Sequence, residues 1–185
     1  MTAPPAASRR RPFLAPLWIA LIAAIAAVAL AVAIWRNARV TTFVVARQAE
    51  KPLGTIEDAP LAPPGELRAQ RLAQLLSARG PGRIAAIYAV DPQRTRQTVS
   101  AVESRLGLLA SVENAPDPAE LAARIERAHA GGSVLIVAPP PFVTALVRAL
   151  SQDPSVPVVG ESDYDVVYVV SVPAFGHPSL LRLSY

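Results

Sequence analysis

The feature that most constrains this chain is the run from Leu17 to Trp35, nineteen residues without a charged or strongly polar side chain. As a helix rising about 1.5 Å per residue it is roughly 28 Å long, close to the hydrocarbon thickness of a bilayer. Trp18 and Trp35 fall near its ends, where amphipathic rings favour the headgroup level. Arg9, Arg10 and Arg11 precede the run, while only Arg36 and Arg39 follow it closely. The positive-inside bias puts residues 1–12 in the cytoplasm and the C-terminal part outside it. The expected division is therefore a basic tail over 1–12, a signal-anchor transmembrane helix over 13–35 and a folded domain over 36–185. The competing reading is a cleaved signal peptide ending at the small residues Ala31 to Ala33. It requires an apolar core longer than the usual 7–15 residues and a mature chain starting at Trp35-Arg36.

The remaining 150 or so residues suffice for one domain with a proper core. The chain has no cysteine, which rules out disulfides, thiolate catalysis and cysteine metal sites. The formal charge of +4 is misleading. Residues 36–185 hold fourteen arginines and Lys51 against fourteen Asp and Glu, a net of +1. A nucleic-acid binder carries its excess charge on the folded part, so that class of partner is set aside.

Apolar strand runs alternate with helical stretches. "VTTFVVA" from Val40 is β-branched over most of its length, like a buried parallel strand. A Pro-rich loop leads to a helix over 66–79, with Leu67, Leu72, Leu75 and Leu76 inward and a stop at Gly80. "RIAAIYAV" is the second strand, followed by a helix from Arg94 to Leu106 with Val99, Val102 and Leu106 on one face. Asp117-Pro118 opens a helix ending before Gly131-Gly132. "SVLIVA" is the third clear strand, and Pro139 to Pro141 lead into a helix around Phe142–Leu150. "DVVYVVSV" and "LLRLSY" make a terminal hairpin. The pattern predicts an α/β fold: a doubly wound, mostly parallel sheet with helices on both faces and an antiparallel C-terminal hairpin.

In such sheets ligands bind beyond the carboxyl ends of the strands. There the chain places Arg47-Gln48, then Asp91 and Arg94, then Ala138-Pro139. Two guanidinium forks at one edge suit a phosphate or carboxylate, although either arginine alone is equally compatible with a solvated surface. Glu50 and Asp91 are candidate supporting residues, and Glu57 and Asp58 add carboxylates at the same edge. No metal-ligand spacing is present. His129 reads as a helix C-terminal cap, and His177 as a residue of the terminal turn.

Four blocks, "FVVARQAEKP", "APLAPPGELRAQRLAQLL", "IAAIYAVDPQRTRQTVSAVESRLGL" and "GGSVLIVAPPPFVTALVRAL", resemble the histidine phosphatase superfamily, also called phosphoglycerate mutase-like. "DYDVVYVVSV" with "LLRLSY" resembles its closing hairpin. The resemblance implies a pocket of two histidines and two arginines, in which one histidine attacks phosphorus and the other stabilises the transferring group. It places the arginines at Arg47 and Arg94, and the histidine positions at Gln48 and at Pro139 or its neighbours. Neither position holds a histidine. A glutamine amide nitrogen, its lone pair delocalised, hardly attacks phosphorus, and proline donates no hydrogen bond.

The expectation is an extracytoplasmic, inner-membrane-anchored pseudophosphatase without cofactor or metal, which binds a phosphorylated or anionic ligand or scaffolds a membrane or envelope protein. An active phosphomonoesterase with rewired residues and a purely structural envelope partner are the alternatives.

Overall fold

The computed structural model describes residues 15–37, 39–52, 54, 59–77, 83–90, 93–114, 117–160 and 162–185. The expected basic tail, Gly80, and the candidates Glu57, Asp58 and Asp91 lie outside the described residues. The chain divides into two compact units, Met1–Ala38 and Arg39–Tyr185. In the first, α1 (Ala15–Asn37) contains Leu17–Ile34, a stretch long and apolar enough to cross a membrane by length and composition.

The second unit is built on a six-stranded mixed sheet. Its strands are β1 (Val40–Arg47), β2 (Ile84–Val90), β3 (Ala110–Glu113), β4 (Ser133–Ala138), β5 (Val166–Pro173) and β6 (Ser179–Ser184), in the order β3-β2-β4-β1-β5-β6. The first four are mutually parallel, whereas β5 and β6 run antiparallel to their neighbours. Central β4 is buried at every position, the condition under which a strand reads as a continuous apolar run.

Side chains alternate across the strands, so β1, β2, β4 and β5 each feed two cores. Phe43, Val45, Val134 and Ile136 pack with Leu121 and Ile125 of α4 (Pro118–Ala128) and Val143, Leu146 and Val147 of α5 (Pro140–Ser151). Val44, Ala46, Leu135 and Val137 pack with Leu72 of α2 (Pro63–Leu76) and Val99 and Val102 of α3 (Gln93–Leu106). Asp117 caps α4 as its sequence position predicts, accepting from the N–H groups of Ala119 and Glu120 at 3.0 and 2.9 Å.

Three expectations are corrected. Helix α2 runs from Pro63 to Leu76; it starts early because prolines suit its first two positions, where no intrahelical donor is needed. Its inward stripe runs through Ala69, Leu72, Ala73 and Leu76, which leaves Leu67 and Leu75 exposed. Strand β3 was not expected at all. It is four residues long, carries Ser111 and Glu113, and pairs only with β2.

Tyr185, packed against the α2/α3 core, accompanies a backbone bond from its N–H to the Asp165 carbonyl at 3.0 Å. Burial pushes its phenol from an ordinary value near 10 up to about 12. The folded state thus prefers the neutral phenol, and the unfolded chain ionises first. Stability from this group is full below about pH 10 and is lost as pH rises through about 12. Alkaline unfolding followed by circular dichroism should show this fall, and Tyr185→Phe should flatten it.

Candidate functional site

The carboxyl ends of the central strands meet in register. Arg47, the last residue of β1, pairs with Ala138, the last of β4, and Gln48 continues the ladder by donating its N–H to the Ala138 carbonyl at 3.0 Å. Beyond this edge lies a cleft of about 1210 Å³ whose walls include Arg47, Gln48, Lys51, Arg94, Pro139 and Tyr164.

Strand alternation sends Arg47 and Gln48 to opposite faces of the sheet. Gln48, 3 % exposed, faces α3, where its Oε1 accepts the Thr95 hydroxyl at 2.8 Å. Thr98 Oγ1 donates to the Arg94 carbonyl at 2.7 Å and accepts the Ala49 N–H at 3.0 Å. The first turns of α3 and the stretch after β1 are therefore bound together through two threonines that the sequence reading passed over.

Arg47, 6 % exposed, turns toward the loop before β5. It donates to the Gly160 carbonyl at 2.6 Å, and its guanidinium lies 3.8 Å from the centre of the Tyr164 ring. A cation over an aromatic face gains about 0.5–2 kcal/mol, depending on desolvation. Gly160 is fixed in turn by its N–H bond to Asp163 Oδ2 at 3.0 Å. Arg94 is 7 % exposed, and its buried Nε has no hydrogen-bond partner among the described residues.

Pro139 caps α5, and Pro140 and Pro141 are its first two residues. A helix N-terminus ordinarily presents four free N–H groups, the basis of anion binding there. The three prolines remove three of them and leave that of Phe142. Thr144 in the next turn is already engaged, donating to the Pro140 carbonyl at 3.1 Å and accepting from the Val159 N–H at 3.0 Å.

Glu50 lies outside the walls of the cleft. Its Oε1 binds Arg68 of α2 at 2.7 Å, and its carbonyl accepts the Ala62 N–H at 2.8 Å. It fastens the post-β1 stretch to α2. Gly65 permits this approach, since a Cβ there would come within 2.6 Å of the Glu50 carbonyl oxygen.

Both histidines are remote from the cleft. His129 is the C-cap of α4, with Nε2 2.9 Å from the Tyr88 hydroxyl. His177 lies in the turn between β5 and β6, and the pairing of Val40 with Pro173 puts that turn at the opposite edge of the sheet. No group of three His, Cys, Asp or Glu that could hold a metal ion occurs among the described residues.

Lys51 and Tyr164 are among the cleft residues that sequence reasoning missed. Lys51, the sole lysine, stands in the very stretch that carries Arg47, so a signal was available. Tyr164 reaches the site because β5 is antiparallel to β1, so the residues leading into Val166 lie beyond Arg47.

With this geometry in view, the comparisons identify the architecture. It is an α/β fold of the phosphoglycerate mutase-like class. The description "Histidine phosphatase superfamily (branch 1)" matches residues 44–121. The protein histidine phosphatase SixA, solved with tungstate, is similar at 22% identity and a TM-score of 0.60, covering 77% of this chain and 96% of that one. A phosphoserine phosphatase from Entamoeba histolytica, solved with 3-phosphoglyceric acid, has a TM-score of 0.62 at 14% identity, covering 78% and 97%. A mycobacterial glucosyl-3-phosphoglycerate phosphatase has a TM-score of 0.54 at 18% identity, covering 72% and 90%. No curated protein matches the sequence. Residues 39–185 thus have the fold of the histidine phosphatase superfamily.

Thr95→Val should leave the buried Gln48 carboxamide oxygen without its donor and cost about 1–3 kcal/mol. Urea unfolding of the full chain in detergent measures it, with His129→Ala as a comparison that should leave the cleft unchanged.

Proposed function

We propose that the domain is an anion-binding member of the histidine phosphatase superfamily that has lost phosphoryl transfer, held outside the cytoplasm by α1. The observation that carries this reading is a cleft flanked by two buried arginines and lined by no imidazole, with Gln48 and Pro139 at the ends of β1 and β4. The resemblance puts the family's histidines at those two positions. A Gln48 carboxamide that accepts from Thr95 is a fixed hydrogen-bonding group rather than a nucleophile. Arg94 offers a second recognition element beside Arg47, its Nε–H buried and without a hydrogen-bond partner among the described residues. The ligand would be a phosphorylated or otherwise anionic group, small or displayed on a membrane or envelope protein. It would be held by side-chain cations rather than by a helix N-terminus, and the domain would act as a receptor or scaffold.

An active phosphomonoesterase is the second reading, favoured by the phosphatases among the similar structures. A structural envelope partner is the third, favoured by the engagement of Arg47 with Gly160 and Tyr164.

The test is calorimetric titration of inorganic phosphate into the full chain in detergent, beside hydrolysis of p-nitrophenyl phosphate. The expected result is saturable phosphate binding, weakened about ten- to hundredfold by Arg94→Ala, with hydrolysis no faster than buffer. Hydrolysis that falls in Gln48→Ala would establish the enzyme, and no binding at millimolar phosphate would establish the structural partner. If chemistry alone was lost, the pair Gln48→His with Pro139→His should produce measurable hydrolysis that Arg94→Ala abolishes.

A further inference from the structure

We propose that the edge of the domain opposite the cleft is a docking surface for an anionic lipid bilayer; this rests on the reading of α1 as a membrane anchor. The edge is formed by the starts of β1, β2, β3 and β4 and by the β5–β6 turn. It carries exposed Arg39 and Arg83 at the entries to β1 and β2, and exposed Arg105 and Arg127 in the last turns of α3 and α4. Two large apolar side chains project from separate turns of the same edge, Leu109 at 91% exposure and Phe175 at 70%.

The carboxylates are distributed the other way. Glu66 and Glu120 lie in the first turns of α2 and α4, Glu113 ends β3, and Asp163 and Asp165 precede β5, all toward the cleft edge. At the opposite edge, Glu103 is occupied in accepting the Ala110 N–H at 2.7 Å, Glu126 is half-buried, and Asp153 accepts from Ser155. Helix dipoles favour cations in last turns and so account for Arg105 and Arg127. They do not account for Arg39 or Arg83, nor for exposed Leu109 and Phe175.

Chain connectivity supplies the occupant. Arg39 belongs to the folded edge, with its carbonyl accepting the Ala174 N–H at 3.0 Å and its stem so close to Gly131 that a Cβ there would approach it within 2.8 Å. Helix α1 ends at Asn37 and β1 begins at Val40, so three residue steps join them, at most about 10 Å of chain. If α1 spans a membrane, this short link limits how far Arg39 can stand from it, and exposed arginines can pair with lipid phosphates. Phe175 then enters the headgroup layer beside them. The cleft lies at the other edge of the sheet, about 20 Å from this surface.

The absence of cysteine makes single-site labelling clean. Full-length Ala174→Cys, Glu66→Cys and Ile25→Cys, each carrying an environment-sensitive fluorophore, would be reconstituted in nanodiscs of phosphatidylcholine with and without phosphatidylglycerol. Expected are lipid-quenched emission at 25 in both compositions, and water-exposed, iodide-quenched emission at 66. The label at 174 should be shielded from iodide when phosphatidylglycerol is present. Reversal of Arg39, Arg83, Arg105 and Arg127 to Glu should weaken that shielding, by about fivefold per arginine removed from the surface. A label at 25 buried in lipid, with 174 as open to iodide as 66, would overturn the docking surface while leaving the anchor intact. A label at 25 outside lipid would overturn both.

Discussion

The site depends on one strand that pairs differently on its two sides. β1 lies parallel to β4 and antiparallel to β5, so the chain beyond Arg47 meets the exit of one strand and the entrance of another. The first pairing brings Pro139 and the α5 N-terminus to the cleft. The second brings Gly160 and Tyr164. A wholly parallel arrangement would have sent the approach to β5 to the other edge and left Arg47 without its carbonyl and aromatic partners. The alternation of side chains along β1 then separates the roles of neighbours. Arg47 faces the β5 approach, while Gln48 locks onto α3.

This arrangement alters how the cleft can recognise an anion. A helix N-terminus binds anions with backbone N–H groups that cost no side-chain entropy to position. Pro139, Pro140 and Pro141 remove most of that contribution from α5. On the proposed reading, recognition falls on the guanidinium groups of Arg47 and Arg94, which are already buried. Burying a guanidinium is expensive unless it is compensated. For Arg47 the compensation is intramolecular, through Gly160 and Tyr164, and an incoming anion would have to improve on those contacts. For Arg94 the buried Nε–H has no hydrogen-bond partner among the described residues.

The fold was legible wherever burial acted on both faces of an element. β1, β2 and β4 are continuous apolar runs because helices cover both sides, and α4 announces itself through Asp117-Pro118. β3 was not legible, because an edge strand of four residues with Ser111 and Glu113 has no burial pattern to display. The inward stripe of α2 was misread for a related reason. Ala69 and Ala73 let the helix approach the sheet closely, so two alanines share the stripe with Leu72 and Leu76 while larger leucines point outward. At the site, Arg47, Gln48, Arg94 and Pro139 could be placed from strand ends and motif spacing alone. The part played by Tyr164 could not, since it follows from the direction of β5, which the residues of β5 do not encode.

The direction of the strands also gives the domain two chemically different ends. Each β-to-α connection returns the chain to the cleft edge and each α-to-β connection to the opposite one, so residues at helix starts and helix ends are sorted to opposite poles. Carboxylates in first turns and arginines in last turns, each favoured there by the helix dipole, therefore add up to a polarity of the whole domain rather than cancelling. Arg39 and Arg83 reinforce it from the strand entries. The arginines at the strand entries and helix ends and the cations that line the cleft are consequently separated by the length of the sheet. On the proposed reading the two poles act independently, one orienting the domain and the other binding the anion.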